Sequence, residues 1–258
     1  MIVSPPRGIY RKTYVGRVAL TLVFVFIAAV FFFAFAEKGR TASIVAAAAV
    51  MAVDTILVTL MGKGSLSIHD EGLRRTSIFG TKEIEWKNVK EYRYRPIPIQ
   101  VGGLVGSLII GAMNRAGGRR ATTSLFLTVI ADSGTRIKVT SGFKDAYDAI
   151  GAILAKIHDQ IRPRVLSELS AGARFGPVLL STRQLRWKSK EPVLLSDLAF
   201  AEIRGQKLNI KKSGKMFSIV SVRSDTVPNV LLLLEEMERL GVGRNRIATV
   251  DPLARVQP

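Results

Sequence analysis

General acid–base chemistry needs two carboxyls close together in environments that set their acidities apart. The sequence offers the neighbours Asp70 and Glu71 and the spaced pair Glu83 and Glu85. On β structure adjacent residues point to opposite faces, so Asp70 and Glu71 diverge. Glu83 and Glu85 can share a face, and a solvated strand surface is the simpler account of them. Two histidines are present, His69 in a turn and His158 on a helical stretch, neither with an evident nucleophile or metal partner along the chain. Glu235, Glu236 and Glu238 read as the wet side of an amphipathic helix. There is no Cys, which excludes disulfides, thiolate metal sites and cysteine nucleophiles. These residues point to no catalytic site, no metal and no cofactor, so the expectation is a protein that is not an enzyme.

Binding chemistry is better represented. The chain carries 38 basic against 20 acidic residues, a net charge of +18, and such an excess points to a polyanionic partner. Lys207, Lys211, Lys212 and Lys215 gather around one hairpin, and Arg115, Arg119 and Arg120 follow a glycine-rich run. These seven are the candidate contacts to anionic lipid headgroups; the plainer account is solvated charge. Nucleic acid is disfavoured, because two Trp and five Tyr form no aromatic run interleaved with Arg or Lys for base stacking.

Hydropathy supplies a reason to prefer lipid. Residues 18–36 are free of charge and 41–61 form a second apolar stretch after the turn Glu37-Lys38-Gly39-Arg40. At 1.5 Å per residue the first would reach about 28 Å, close to the hydrocarbon thickness of a bilayer. The expectation is a two-helix transmembrane hairpin over 18–61, preceded by a basic N-terminus at 1–17. Arg7, Arg11, Lys12 and Arg17 before it and Lys63, Arg74 and Arg75 after it would place both termini in the cytoplasm by the positive-inside rule. That describes a multi-pass protein of a bacterial cytoplasmic (inner) membrane. Asp54 within the second stretch is the intramembrane polar candidate, either a hydrogen-bonding residue of a helix bundle or a proton relay. The small face Ala42, Ala46, Ala49, Val50 and Val53 would permit self-association into a homo-oligomer.

From residue 64 the pattern changes to short alternating segments, and the order of segments occurs twice. Each copy closes with a helix whose apolar residues fall at helical spacing: Tyr147, Ile150, Ile153, Leu154 and Ile157 in the first, Val230, Leu231, Leu234, Met237 and Leu240 in the second. The divisions expected are 64–161, with an insertion at 96–122, then 165–240, and a disordered tail at 241–258. The first copy, with Glu71-Gly72-Leu73, Phe79-Gly80 and the run Ile84 to Val89, resembles a bacterial pleckstrin-homology-like (PH-like) domain behind a membrane hairpin. The second is similar to the C-terminal part of an uncharacterised family of bacterial membrane proteins, through Phe175-Gly176-Pro177, Leu194 to Leu198 and Val227-Pro228-Asn229-Val230. The resemblance implies a membrane-anchored α+β protein with two PH-like β-barrel or roll units, each closed by a C-terminal helix. It implies a platform for lipid, peptide or protein binding and transfers no binding site.

The insertion holds the charge-free run 100–113 and the arginines that follow it. A segment dipping into the near leaflet, an apolar lid over a barrel, and a glycine-rich phosphate loop all remain open. The leading function is a membrane-anchored binding or scaffold module that engages anionic lipid or a membrane protein. The alternative is an accessory subunit of a larger membrane complex, without catalytic activity of its own.

Overall fold

The computed structural model describes residues 4–11, 64–98, 123–143 and 145–244, together with the helical residues 25, 27–30, 44–45, 48–53 and 56. The candidates Asp54, Arg115, Arg119 and Arg120 lie outside the described residues, as do most of the insertion and the tail from 245.

Strands dominate. Strand β1 (Pro6–Arg11) pairs antiparallel with β2 (Ser65–His69), which continues to β3 (Gly72–Ser77) and β4 (Gly80–Glu85) in a four-stranded sheet. A 3-10 turn at Trp86–Asn88 leads into β5 (Val89–Pro98), β6 (Thr123–Ala131) and β7 (Arg136–Thr140), a three-stranded sheet. Alternation drives both sheets: Leu66 and Ile68, Tyr92 and Tyr94, Leu125, Leu127 and Val129, and Ile137 and Val139 are buried between outward polar residues, the period-2 pattern of a half-buried strand. Helix α1 (Ala146–Glu168) then lays Ile150, Ile153, Leu154, Ile157, Ile161 and Val165 on the core. It passes through Pro163, beyond the boundary expected near Arg162. An interior proline costs about 3 kcal/mol in a helix, and burial of Val165 and Leu169 beyond it offsets that cost.

The second half repeats the order. Strands β8 (Ala173–Phe175), β9 (Val178–Leu180), β10 (Gln184–Trp187) and β11 (Val193–Leu194) make one sheet. After a 3-10 turn at Leu195–Asp197 come β12 (Leu198–Arg204), β13 (Lys207–Lys212) and β14 (Ser218–Arg223). A further 3-10 turn, Ser224–Thr226, precedes helix α2 (Val230–Arg239), and β15 (Gly243–Arg244) returns to pair in parallel with β12.

Two expectations are corrected. First, no helix among the described residues is long and apolar enough to cross a membrane. The one long helix, α1, is interrupted by Asp148, Lys156, Asp159, Arg162 and Arg164. An apolar run becomes a span only as a continuous helix of about 20 residues, and most of 18–61 lies outside the described residues. The transmembrane hairpin at 18–61 is therefore not supported. The multi-pass placement in a bacterial cytoplasmic membrane, with both termini inside, rested on it and falls with it. Second, the strands form four sheets over one continuous core that includes residues from Leu66 to Val242, in place of a helical hairpin followed by two separate PH-like β-barrel or roll units. Among the described residues β4 and β7 each pair on one side only, so the sheets do not continue into one another. Within the basic N-terminus expected at 1–17, Pro6–Arg11 form a sheet strand.

Candidate functional site

The lysines of the second half sit on the β13–β14 hairpin, and the hairpin sorts them. Lys207 starts β13, in register with Arg204 and Arg223, whereas Lys211 and Lys212 end it. At about 3.3 Å per residue, four residues separate Lys207 from Lys211 by about 13 Å, so Lys207 does not belong to the cluster. A bulge between Ile210 and Lys211 breaks the alternation that buries Leu208 and Ile210, and both Lys211 and Lys212 stay partly exposed. The Lys212 ammonium pairs with Asp197 at 3.0 Å, and that of Lys211 lies 5.8 Å from the Phe200 ring centroid. The turn is built by the Ser213 N–H donating to Asp197 O (2.8 Å), the Lys215 N–H donating to Lys212 O (3.2 Å), and Gly214 at φ +70°. Lys215 projects into solvent, and beside it Met216 and Phe217 are 83% and 79% exposed. Sequence reasoning picked the lysines and passed over this apolar pair, whose position between Gly214 and Ser218 was the available signal.

The acidic candidates are consumed by ion pairs. Glu83 pairs with Arg74 at 2.7 Å across β3 and β4, and Asp70 pairs with Arg7. The Lys87 ammonium hydrogen-bonds Glu85 at 3.0 Å and holds that carboxyl below its usual range. His69 is buried, its Nδ1 2.7 Å from Ser4 O, and the Trp86 indole N–H donates to its carbonyl at 3.0 Å. Among the described residues no group of three His, Asp or Glu stands close enough to hold a metal.

His158 has partners that its sequence neighbours did not reveal. Its Nε2 lies 2.8 Å from the Tyr92 hydroxyl, and its Nδ1 3.3 Å from Glu235, which also binds Arg162. Burial would push the pKa of Glu235 up; the His158 hydrogen bond and charge outweigh it, aided by Arg162 and Arg244, and hold the carboxyl below its usual range. A phenol, an imidazole and a carboxylate in line can relay protons. Here the relay has no opening to a substrate: Tyr92 has no exposed surface, His158 is 3% exposed, and the Leu232 N–H donates to the Tyr92 oxygen at 3.1 Å.

That network belongs to a junction between the two halves of the chain. Asn229 adopts φ +53°; its N–H donates to Tyr92 O and its Oδ1 accepts the Tyr92 N–H, both at 2.9 Å. The Ser224 hydroxyl donates to Tyr94 O at 2.8 Å. These bonds set the phase of β5: residues 92, 94, 96 and 98 turn their main-chain groups away from β6. Pro96 and Pro98 therefore remove no ladder donor. Gly176 packs against the same junction, since a Cβ there would lie 2.7 Å from Pro228 Cδ. Phe175-Gly176-Pro177 and Pro228-Asn229 thus serve packing and docking of α2.

A search of curated proteins returned no match. The sequence profile of one family covers residues 113–245, a stretch that takes in β6, α1 and the whole second half with its junction and hairpin. By that match, over slightly more than half its length, the chain belongs to DUF6585, a family of unknown function.

Proposed function

We propose that this chain is a non-catalytic binding and scaffold module whose β13–β14 tip rests on an anionic bilayer surface without crossing it. One observation carries the reading: two adjacent large apolar side chains, Met216 and Phe217, stand almost fully exposed at a hairpin tip with Lys211, Lys212 and Lys215 around them. Scattered exposed apolar residues are ordinary on protein surfaces. A contiguous pair on a projecting turn with a cationic collar suits the boundary between headgroups and acyl chains, where the apolar groups leave water and the ammonium groups meet phosphate. Burial of one such side chain contributes about 1.5–3 kcal/mol and each nearby lysine about 1 kcal/mol. That sum supports reversible, salt-sensitive contact.

The test is co-sedimentation of the full chain with vesicles of phosphatidylcholine alone and with a third of phosphatidylglycerol. The expected result is binding to the anionic vesicles, reduced by salt and by the double variant Met216→Ser, Phe217→Ser. Equal binding of wild type and variant, or none at low salt, overturns the reading and moves the search to a protein partner.

A further inference from the structure

A second hairpin turn exposes apolar side chains that its own fold does not use. Ile78 and Phe79 are the two turn residues between β3 and β4, 44% and 92% exposed. The turn is made by their neighbours. The Ser77 hydroxyl donates to Gly80 O (3.1 Å) and accepts the Phe79 N–H (3.3 Å), and Gly80, opposite Ser77 in the ladder, takes φ +107°. Tight turns favour Gly, Asn, Asp, Ser and Pro because those residues supply such bonds and angles. The turns Asp132-Ser133-Gly134 and Gly205-Gln206 follow that rule. Ile78 and Phe79 break it, and Phe79 buries almost nothing, so neither turn chemistry nor the core accounts for the pair.

The turn stands where the apolar part of the sequence leaves the sheet. The three ladders of the first sheet align Arg11, Ser65, Thr76 and Thr81 across one end. The chain therefore leaves β1 after Arg11 and re-enters at Ser65 on the same end as Ile78 and Phe79, and the apolar stretches 18–36 and 41–61 lie between those points in sequence. Among the described residues of those stretches, Ile44, Val45 and Ile56 are more than half exposed. The surrounding charge is cationic. Arg75 and Lys82 stand directly opposite each other next to the turn, and Arg11 ends β1. The Arg75 guanidinium donates to the Lys138 carbonyl (2.7 Å), a neutral partner that leaves its charge in place. Lys82 and Arg11 are exposed and make no ion pair among the described residues. The nearest acid along β4, Glu83, is engaged by Arg74.

We propose that the Ile78–Phe79 turn is a second contact with an anionic bilayer surface. Its apolar pair enters the boundary between headgroups and acyl chains, and Arg11, Arg75 and Lys82 meet lipid phosphate. This contact rests on the reading that the chain lies on such a surface through the β13–β14 tip, and it adds a point of attachment in the other half of the molecule. Each half then carries the same device, an adjacent apolar pair at a hairpin turn within a cationic collar. Two weak contacts on one chain hold better than either alone when both engage together, because the second forms at high effective concentration.

The chain has no cysteine, so Phe79→Cys gives a single site for a polarity-sensitive fluorophore, and Gln206→Cys at the β12–β13 turn carries the same label as a control. Both full-length proteins are titrated with vesicles of phosphatidylcholine containing a third of phosphatidylglycerol, with and without a nitroxide-bearing lipid. The label at 79 should brighten on the vesicles and be quenched by the nitroxide, and the label at 206 should do neither. The unlabelled variant Ile78→Ser, Phe79→Ser should co-sediment about tenfold more weakly than wild type and keep its thermal transition. A label at 79 that stays dark on vesicles the chain binds, or a serine variant that binds as wild type does, overturns this contact and leaves the β13–β14 tip standing. Insertion of the label at 79 with undiminished binding of Met216→Ser, Phe217→Ser supports this contact and removes the other. No binding of the full chain to anionic vesicles at low salt overturns both.

Discussion

Two regions handle polarity in opposite ways. At the junction, Tyr92, His158, Asn229 and Ser224 are buried polar groups, each with a hydrogen-bond partner. At the β13–β14 tip, Met216 and Phe217 are apolar groups left in water. The first opposes folding unless something compensates, and the second forgoes the burial that folding usually gives apolar groups. The junction is compensated internally, since a buried group with its bonds made avoids a penalty of about 1–3 kcal/mol. The tip has no compensation within the described fold, which is the reason for seeking it in a partner. Damage to the junction should therefore cost stability and spare binding, and damage to the tip should do the reverse.

The largest effect is expected at Asn229. Asn229→Ala removes the acceptor of the buried Tyr92 N–H and places an alanine at φ +53°, where a Cβ costs about 1–2 kcal/mol. Together with the orphaned donor, a loss of about 2–4 kcal/mol is expected in denaturant unfolding, with binding of the folded fraction to anionic vesicles unchanged. Tyr92→Phe should cost less, about 1–3 kcal/mol, by leaving the Leu232 N–H without its acceptor. An equal loss of vesicle binding in either variant would erase the division between the regions.

Acid sharpens the same comparison. The folded Glu235 carboxyl is held below its ordinary value of 4.5, so the ionised form is favoured by folding. Its contribution is fully present above the unfolded value and is lost as pH falls through the folded one. The stability difference between wild type and Glu235→Gln should thus be constant near neutrality and close progressively below about pH 4.5. A difference that widened in acid would give the shift the opposite sign. At the tip, Lys215→Ala should weaken vesicle binding about fivefold at low salt and leave unfolding within about 0.5 kcal/mol of wild type. The binding effect should shrink as added salt shortens the screening length.

The sequence made the tip's lysines legible and the junction almost invisible, for physical reasons. Alternation in 125–131 and 136–140 and helical spacing from Tyr147 to Ile157 report local periodicity, and those elements are where it places them. Pairing between distant segments leaves no local trace. Strand β1 is short and joins β2 across more than fifty residues, so its charge was visible and its sheet was not. Tyr92 and His158 stand 66 residues apart, and Tyr92 and Asn229 stand 137 apart. The left-handed Asn229 after Pro228 marks a helix start; what it docks against is settled only by the phase of β5. Apolar composition at 18–61 reports what those residues prefer, and no helix among the described residues is long and apolar enough to cross a membrane.

The smallest effect is expected where the chain leaves β5 and returns in β6. Pro98 and Thr123 are already opposite each other in the ladder, and the Tyr147 hydroxyl donates to the Thr123 carbonyl at the first turn of α1. Strand β1 ends near the same place: burial raises the pKa of Tyr10, and Asp148 and Asp145 raise it further. Replacing residues 100–121 by Asn-Gly makes 99 and 122 the next, hydrogen-bonded pair of the ladder and closes the hairpin with a two-residue turn whose twist matches the strands. Shortening a loop this way returns only about 1–2 kcal/mol of closure entropy. The expected outcome is a cooperative thermal transition within a few degrees of wild type and unchanged binding at the β13–β14 tip. A lost transition would mean that β5 and β6 depend on 100–121 for their pairing, and the junction, which hangs on the phase of β5, would fail with them.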